Sequence, residues 1–161
     1  VRTYAKRQHH EVKQENLSEI VDRALVSFRR SSLSSGIDVE VKAPGKADAL
    51  ADALELELLI VNLLKNAAAA SKDSREKLIS VQLSEEANEW LLSVSDHGQV
   101  ISDKLLSRLS HPAKSLSDGL GLGLSICRLI AENHGGKLTF KPNNSKGLIV
   151  TLHLPKTTKE I

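Results

Sequence analysis

Two asparagines in "NLLKNA", Asn62 and Asn66, stand one helical turn apart and point the same way. Their amide oxygens could meet a Mg²⁺ ion that keeps its own waters and a nucleotide's phosphates, since that ion favours a few oxygen ligands over an all-protein cage. Plain solvation of a helix-borne asparagine is the other reading. In "VSDHG", Asp96 closes an apolar stretch where the chain turns at Gly98. A carboxylate there can accept a hydrogen bond from an exocyclic amine, or it can cap its own turn. Finally, "SDGLGLGLSICRLIAENHGG" sets Gly119, Gly121 and Gly123 two apart and runs straight into a helical pattern. Glycine backbone can present N–H groups to an anion with no Cβ in the way, and the helix adds its positive end. A mobile hinge would use the same residues. The run is neither the dinucleotide G-x-G-x-x-G nor a P-loop.

These residues need elements to hold them, and the strongest helical signal carries the asparagines. From Ala51 to Ser71, Leu56, Leu59, Ile60, Leu63, Ala67 and Ala70 recur at the spacing of a core-facing stripe. An earlier helix is expected over 17–33, where Asn16 and Glu19 resemble a capping box ahead of Leu17, Ile20, Val21, Ala24, Leu25 and Phe28. "IDVEVKA" alternates like a half-buried strand, "LISVQLSEE" and "WLLSVSD" read as a strand pair, and "KLTFKP" and "GLIVTLHLP" as the closing strands. A third helix is expected from Leu122 to Asn133, ended by Gly135 and Gly136. Between them, His97 to Leu116 shows no sustained period, a loop of lid length. Residues 1–12 are polar and helix-compatible, a connector or helix end. The order α-β-α-β-β-loop-α-β-β predicts an α+β two-layer sandwich, with helices on one face of a mostly antiparallel sheet.

The bulk numbers fit one such domain: 161 residues, 40% hydrophobic and 26% charged. With 22 basic and 20 acidic residues and no basic block or interleaved aromatics, nucleic acid is not the expected partner. The single cysteine, Cys127, falls in an apolar helical pattern and reads as a small buried hydrophobe. No zinc-type Cys/His spacing exists, and His97, His111, His134 and His153 are too scattered to predict a metal cluster. No apolar run has membrane-spanning length. The chain lacks methionine even at its start, so it is expected to be a piece of a longer protein.

Taken together, "NLLKNA", "SDHG" 30 residues on, a lid-length loop and "GLGLGLSI" opening a helix resemble the nucleotide-binding domain of sensor histidine kinases. That domain shares a superfamily with gyrase, Hsp90 and the mismatch-repair ATPases, and its fold is the Bergerat-type ATP-binding sandwich. The resemblance covers about residues 14 to 155 and looks most similar to the dicarboxylate- and tetrathionate-sensing kinases. It implies a connector or hairpin end over 1–13, a catalytic domain over 14–156 and a tail over 157–161.

By position, the resemblance implies that Asn66 ligates Mg²⁺ and that Asn62 stands where the ATPase relatives hold a glutamate base. An amide cannot accept a water's proton, which fits phosphoryl transfer to a protein rather than hydrolysis. Asp96 would pair with the adenine amino group and Gly98 would let the base approach the backbone. The run Gly119, Leu120, Gly121, Leu122, Gly123 and Leu124 would line the phosphates of ATP. Lys65 and Lys114 are candidate phosphate neighbours, with solvated surface lysines as the equal alternative. The implied partners are an upstream dimerisation domain bearing the acceptor histidine, a response regulator and a second copy in the full-length protein. The implied location is the cytoplasmic side of a bacterial inner-membrane sensor.

Three departures temper the match. Val100 replaces the second glycine expected after the aspartate, and a β-branched residue resists positive φ, so strain or a different exit from the strand is expected there. "SHPAKS" puts Ser110 and His111 where the family has phenylalanines, and Leu148 stands where many relatives have a threonine. A degenerate, regulatory module of the same fold is therefore the alternative reading. "HHEVKQ" resembles a phosphoacceptor box at His10, but that residue lies only 56 positions before Asn66, too close for an intervening helical hairpin. The acceptor is expected upstream.

Overall fold

Capping residues and burial patterns explain where each element begins and which way it faces. The computed structural model describes residues 10–110, 121–144 and 146–156. Asn16 caps the first helix, α1 (Leu17–Arg29), its Oδ1 accepting the N–H groups of Ser18 and Ala47. Asp52 does the same for α2 (Ala53–Ala70), accepting the N–H of Glu55 at 3.1 Å. The other helices among the described residues are α3 (Asp103–Ser110) and α4 (Gly121–Asn133). Two short strands, β1 (Lys13–Asn16) and β3 (Asp48–Ala51), pair antiparallel as a ribbon just ahead of α2.

The main sheet is built from β2 (Asp38–Lys42), β4 (Leu78–Glu85), β5 (Glu89–Ser95), β6 (Lys137–Pro142) and β7 (Leu148–Pro155), in the order β2-β4-β5-β7-β6. Only the β2–β4 pair is parallel. Strict alternation along β4, β5 and β7 sends Ile79, Val81, Leu83, Trp90, Leu92, Val94, Val150, Leu152 and Leu154 to one buried face. Against it lie Phe28 of α1, Leu59, Ile60 and Leu63 of α2, and Cys127 and Ile130 of α4, all nearly inaccessible. The opposite face carries Gln82, Ser84, Ser93, Ser95 and Thr151, with Ser93 and Thr151 hydroxyls 3.2 Å apart. This is the two-layer α+β sandwich expected from the sequence.

Three expectations change, and one strand is added. Lys13–Asn16, which its polar side chains do not announce, is a strand because the β3 backbone offers it a ladder. Helix α1 stops at Arg29, where Ser31 begins a 3₁₀ turn over Ser32–Ser34. Ala51 belongs to β3, so α2 starts two residues later than expected. The aperiodic stretch after His97 contains α3, a two-turn helix whose Leu109 is fully buried.

Candidate functional site

A cleft of roughly 290 Å³ opens between α2, the end of β5, α3, the start of α4 and β7. Its walls are apolar, from Leu63, Ala67 and Ala70 on α2 to Val94, Leu124 and Val150 opposite, with Ile101 and Leu105 closing one side. Two polar side chains interrupt them deep in the cleft, Asp96 and Asn66, while Asp73 and Gln99 stand exposed at the mouth. An apolar cleft with a few convergent polar groups suits a small ligand that must be oriented.

Asp96 is 5% exposed and firmly held. Its Oδ1 accepts the N–H of Gly98 at 2.8 Å and of Leu148 at 3.3 Å, so both donors converge on one oxygen. Asn143 Nδ2 donates to its backbone carbonyl at 2.7 Å. Burial raises the carboxyl above its ordinary range, opposed by the two N–H groups and by His97. Gly147 makes this packing possible: at φ +98, a Cβ there would lie 1.9 Å from the Asp96 carbonyl oxygen. Gly98 is also required by contact, but with Ala70, whose carbonyl oxygen would sit 2.7 Å from an added Cβ. In the structure the close approach that Gly98 permits is to the end of α2, and it is not among the cleft-lining residues.

Asn66 points from the fourth turn of α2 into the cleft, and its buried Nδ2 has no hydrogen-bond partner among the described residues. A buried, unpaired amide donor costs about 1–3 kcal/mol, and in this position it marks a place where a polar ligand belongs. Asn62 is engaged differently. Its Nδ2 donates to Leu58 O at 2.9 Å, while its Oδ1 faces α4, 3.1 Å from where a Cβ on Gly123 would be. Gly123 thus lets the start of α4 close on the asparagine helix. The first turn of α4 contains no acidic side chain, and the dipole at a helix N-terminus favours an anion. Arg128 on α4 donates to Leu109 O at the end of α3 and lies 5.1 Å over the Phe140 ring, tying α3, α4 and β6 together beside the cleft.

The structure therefore brings Asn66, Asp96 and Leu124 to one cleft, with Asn62 and Gly123 at the adjoining α2–α4 seam. Lys65 is half-buried on α2 and is not a cleft-lining residue. Gly121 and Leu122 open α4. Lys114, Gly119, Leu120 and His111 lie outside the described residues. The strain expected at Val100 does not arise: Asn144 is the one non-glycine residue with positive φ among the described residues, and Val100 sits 69% exposed at the cleft mouth. Leu148 lines the cleft and contributes its N–H to Asp96. Asn143 and Gly147 were not anticipated; the glycine after "NNSK" was the available signal.

A second polar cluster forms at the other end of α2. The scattered histidines suggested no such gathering, but the fold brings His10 and His134 together, with ring centroids 4.8 Å apart, beside buried Asp52 and Glu55. His10 Nδ1 lies 2.9 Å from Glu55 Oε1, and Glu11 N–H donates to Asp52 Oδ2 at 2.7 Å. His10, Glu55 and His134 are close enough to share a cation. His134, however, uses one ring nitrogen on Ile130 O at 2.9 Å and the other on the Asp52 N–H at 3.0 Å, leaving no lone pair for a metal. Cys127 is equally committed to structure, fully buried with its thiol against Leu59 O and pushed up to about 12 by burial.

Residues 51–158 match the family model for histidine kinase-, DNA gyrase B-, and HSP90-like ATPases. The sensor protein FixL of Bradyrhizobium diazoefficiens is 29% identical over 161 residues, covering 96% of this chain and 31% of that protein. The C4-dicarboxylate transport sensor protein DctB of Rhizobium meliloti is 30% identical over 158 residues, covering 97% of this chain and 25% of that protein. This chain thus spans less than a third of the length of these curated relatives. The nucleotide-free catalytic domain of the histidine kinase ThkA superposes with a TM-score of 0.78 at 25% identity, over 92% of this chain and 99% of that one. Among the described residues no helix is long and apolar enough to cross a membrane.

Proposed function

The chain belongs to the histidine kinase-, DNA gyrase B-, and HSP90-like ATPase family, and from that premise we propose that it binds Mg-ATP and donates the γ-phosphoryl group to a histidine on a dimerisation domain. The observation that carries the reading is the Asn66 side chain, whose buried amide nitrogen is unpaired among the described residues and calls for an acceptor such as a phosphate oxygen, in the same apolar cleft as the anchored Asp96 carboxylate. Asp96 accepts the adenine amino group between the α2 and β7 walls. The phosphates extend toward the α2–α4 seam, where the backbone N–H groups at Gly121 to Gly123 face them. Asn66, with Asn62 one turn earlier, would hold Mg²⁺ through the amide oxygens, and the ion when bound would supply charge neutralisation at the phosphates. Neither asparagine can act as a base toward water, so the site favours transfer to a protein acceptor over hydrolysis. His10 is not that acceptor in this reading, because its ring is bonded to Glu55 at the far end of α2. The acceptor domain, a response regulator and a second copy complete a two-component sensor on the cytoplasmic side of a membrane.

The test is phosphotransfer. Supplied with labelled Mg-ATP and a separate hairpin domain from a sensor kinase of the dicarboxylate-sensing type, the chain labels the hairpin on histidine. Nucleotide binding with no transfer to any such hairpin would point instead to a regulatory module, the reading that exposed Val100 and the altered "SHPAKS" segment favour.

A further inference from the structure

The seam between α2 and α4 joins the two halves of the proposed nucleotide site, since α2 carries Asn66 and α4 opens on the phosphate-facing glycines. The helices run antiparallel, and three contacts define their register. At the cleft end Gly123 abuts Asn62; midway Cys127 Sγ reaches Leu59 O at 3.7 Å; at the far end His134 Nε2 accepts the Asp52 N–H at 3.0 Å. Of these three, the last has the length and polarity of a strong hydrogen bond. We infer that His134 is a positioning residue for Mg-ATP: by accepting the Asp52 N–H it fixes α4 against α2, and so the phosphate-facing end of α4 against Asn66. This rests on the Mg-ATP reading above.

The chemistry of the ring enforces one state. Ile130 O can only accept, so Nδ1, 2.9 Å away, carries the proton and Nε2 presents its lone pair to Asp52. A second proton would set two donors against each other and break the contact. Burial holds the imidazole below its ordinary value; the Ile130 carbonyl and Asp52 act the other way, and His10 reinforces burial. The charged or titratable neighbours among the described residues are Asp52, the cap of α2, Glu55 in its first turn and His10 on the segment before β1, with Glu55 Oε1 3.9 Å from Nδ1. From His134 to Gly123 is about 16 Å of helix at 1.5 Å per residue. A shift of the far end is carried along that rigid rod, and displacements near 1 Å are enough to spoil simultaneous metal and phosphate contacts.

Calorimetry on the 161-residue chain with adenosine, Mg-free ADP and a non-hydrolysable ATP analogue with Mg²⁺ tests this. His134→Leu should bind adenosine within about twofold of wild type, because Asp96 and the apolar walls are untouched. It should lose about tenfold of the affinity gained from Mg²⁺ and the γ-phosphate, the size of one well-placed hydrogen bond. His134→Gln, whose carbonyl can accept the same N–H but cannot titrate, should restore that gain at neutral pH. Wild type should lose the gain more steeply than His134→Gln as pH falls below the imidazole range. An unchanged Mg²⁺ gain in folded His134→Leu, an equal loss for all three ligands, or identical pH profiles for wild type and His134→Gln overturns the inference. Wild type that gains nothing from Mg²⁺ instead overturns the Mg-ATP reading itself, and the inference with it.

Discussion

The two ends of α2 treat buried polar groups in opposite ways. At the N-terminal end Asp52 gives each carboxylate oxygen a backbone N–H, from Glu55 and Glu11, and His134 has both ring nitrogens bonded. At the cleft end Asn66 Nδ2 is buried with no partner, and the two N–H donors at Asp96 converge on a single oxygen. Satisfied polar groups rigidify a fold, whereas an unsatisfied buried one marks a place open to a water, an ion or a ligand. The chemistry of the two clusters is similar. Their hydrogen-bond accounting separates a structural node from a ligand site.

Mutations at the two ends should therefore fail differently. The largest effect is expected of Asn66→Ala: phosphotransfer drops about a hundredfold or more, yet Tm stays level or rises, because the substitution deletes a buried unpaired donor. A parallel loss of Tm and activity would mean the amide has a structural partner after all. Gly147→Ala comes next, since its Cβ would occupy the Asp96 carbonyl. It should destabilise the chain by about 2 kcal/mol or more, as strain at positive φ and a clash imply, and thermal melts would show it before any binding assay does.

Asp96→Asn should weaken nucleotide binding about 10- to 100-fold, the value of a hydrogen bond to a charged group. Its effect on stability has the reverse sign. The folded carboxyl is raised by burial, so its stabilising contribution is present at low pH, when protonated, and is lost as pH rises through the folded value. Free of that penalty, Asp96→Asn should melt higher than wild type at pH 7, and the gap should close as pH falls into the raised carboxyl range. The smallest effect is at the structural node. His10→Ala removes a partly exposed partner of Glu55 and should lower stability by about 1 kcal/mol or less, with nucleotide affinity within about twofold. A larger change in affinity than in stability for His10→Ala would break the contrast between the ends.

Much of this was legible in the sequence, for identifiable reasons. The apolar stripe Leu56, Leu59, Ile60, Leu63 and Ala67 specified α2 and thereby put Asn62 and Asn66 on a helix; the alternation in "LISVQLSEE" and "GLIVTLHLP" specified which strand faces are buried. Asp96 at a strand end was visible as a turn signal. What stayed hidden depends on tertiary pairing. "KQEN" is polar and becomes a strand only because β3 lies beside it 35 residues later in register, Lys13 against Ala51 and Asn16 against Asp48. Helix α3 is too short for its period to stand out. The meeting of His10 with His134 joins residues 124 positions apart, which no local pattern encodes. The different engagement of Asn62 and Asn66, one back-bonded to Leu58 and one unpaired, likewise needed the surrounding seam.

The most direct measurement is titration of wild type and Asn66→Ala with a non-hydrolysable ATP analogue, with and without Mg²⁺. The account predicts that wild type binds more tightly with Mg²⁺ than without, and that Asn66→Ala loses this gain while keeping its affinity for adenosine. Binding that is indifferent to Mg²⁺ in wild type, or a gain that survives Asn66→Ala intact, would contradict it.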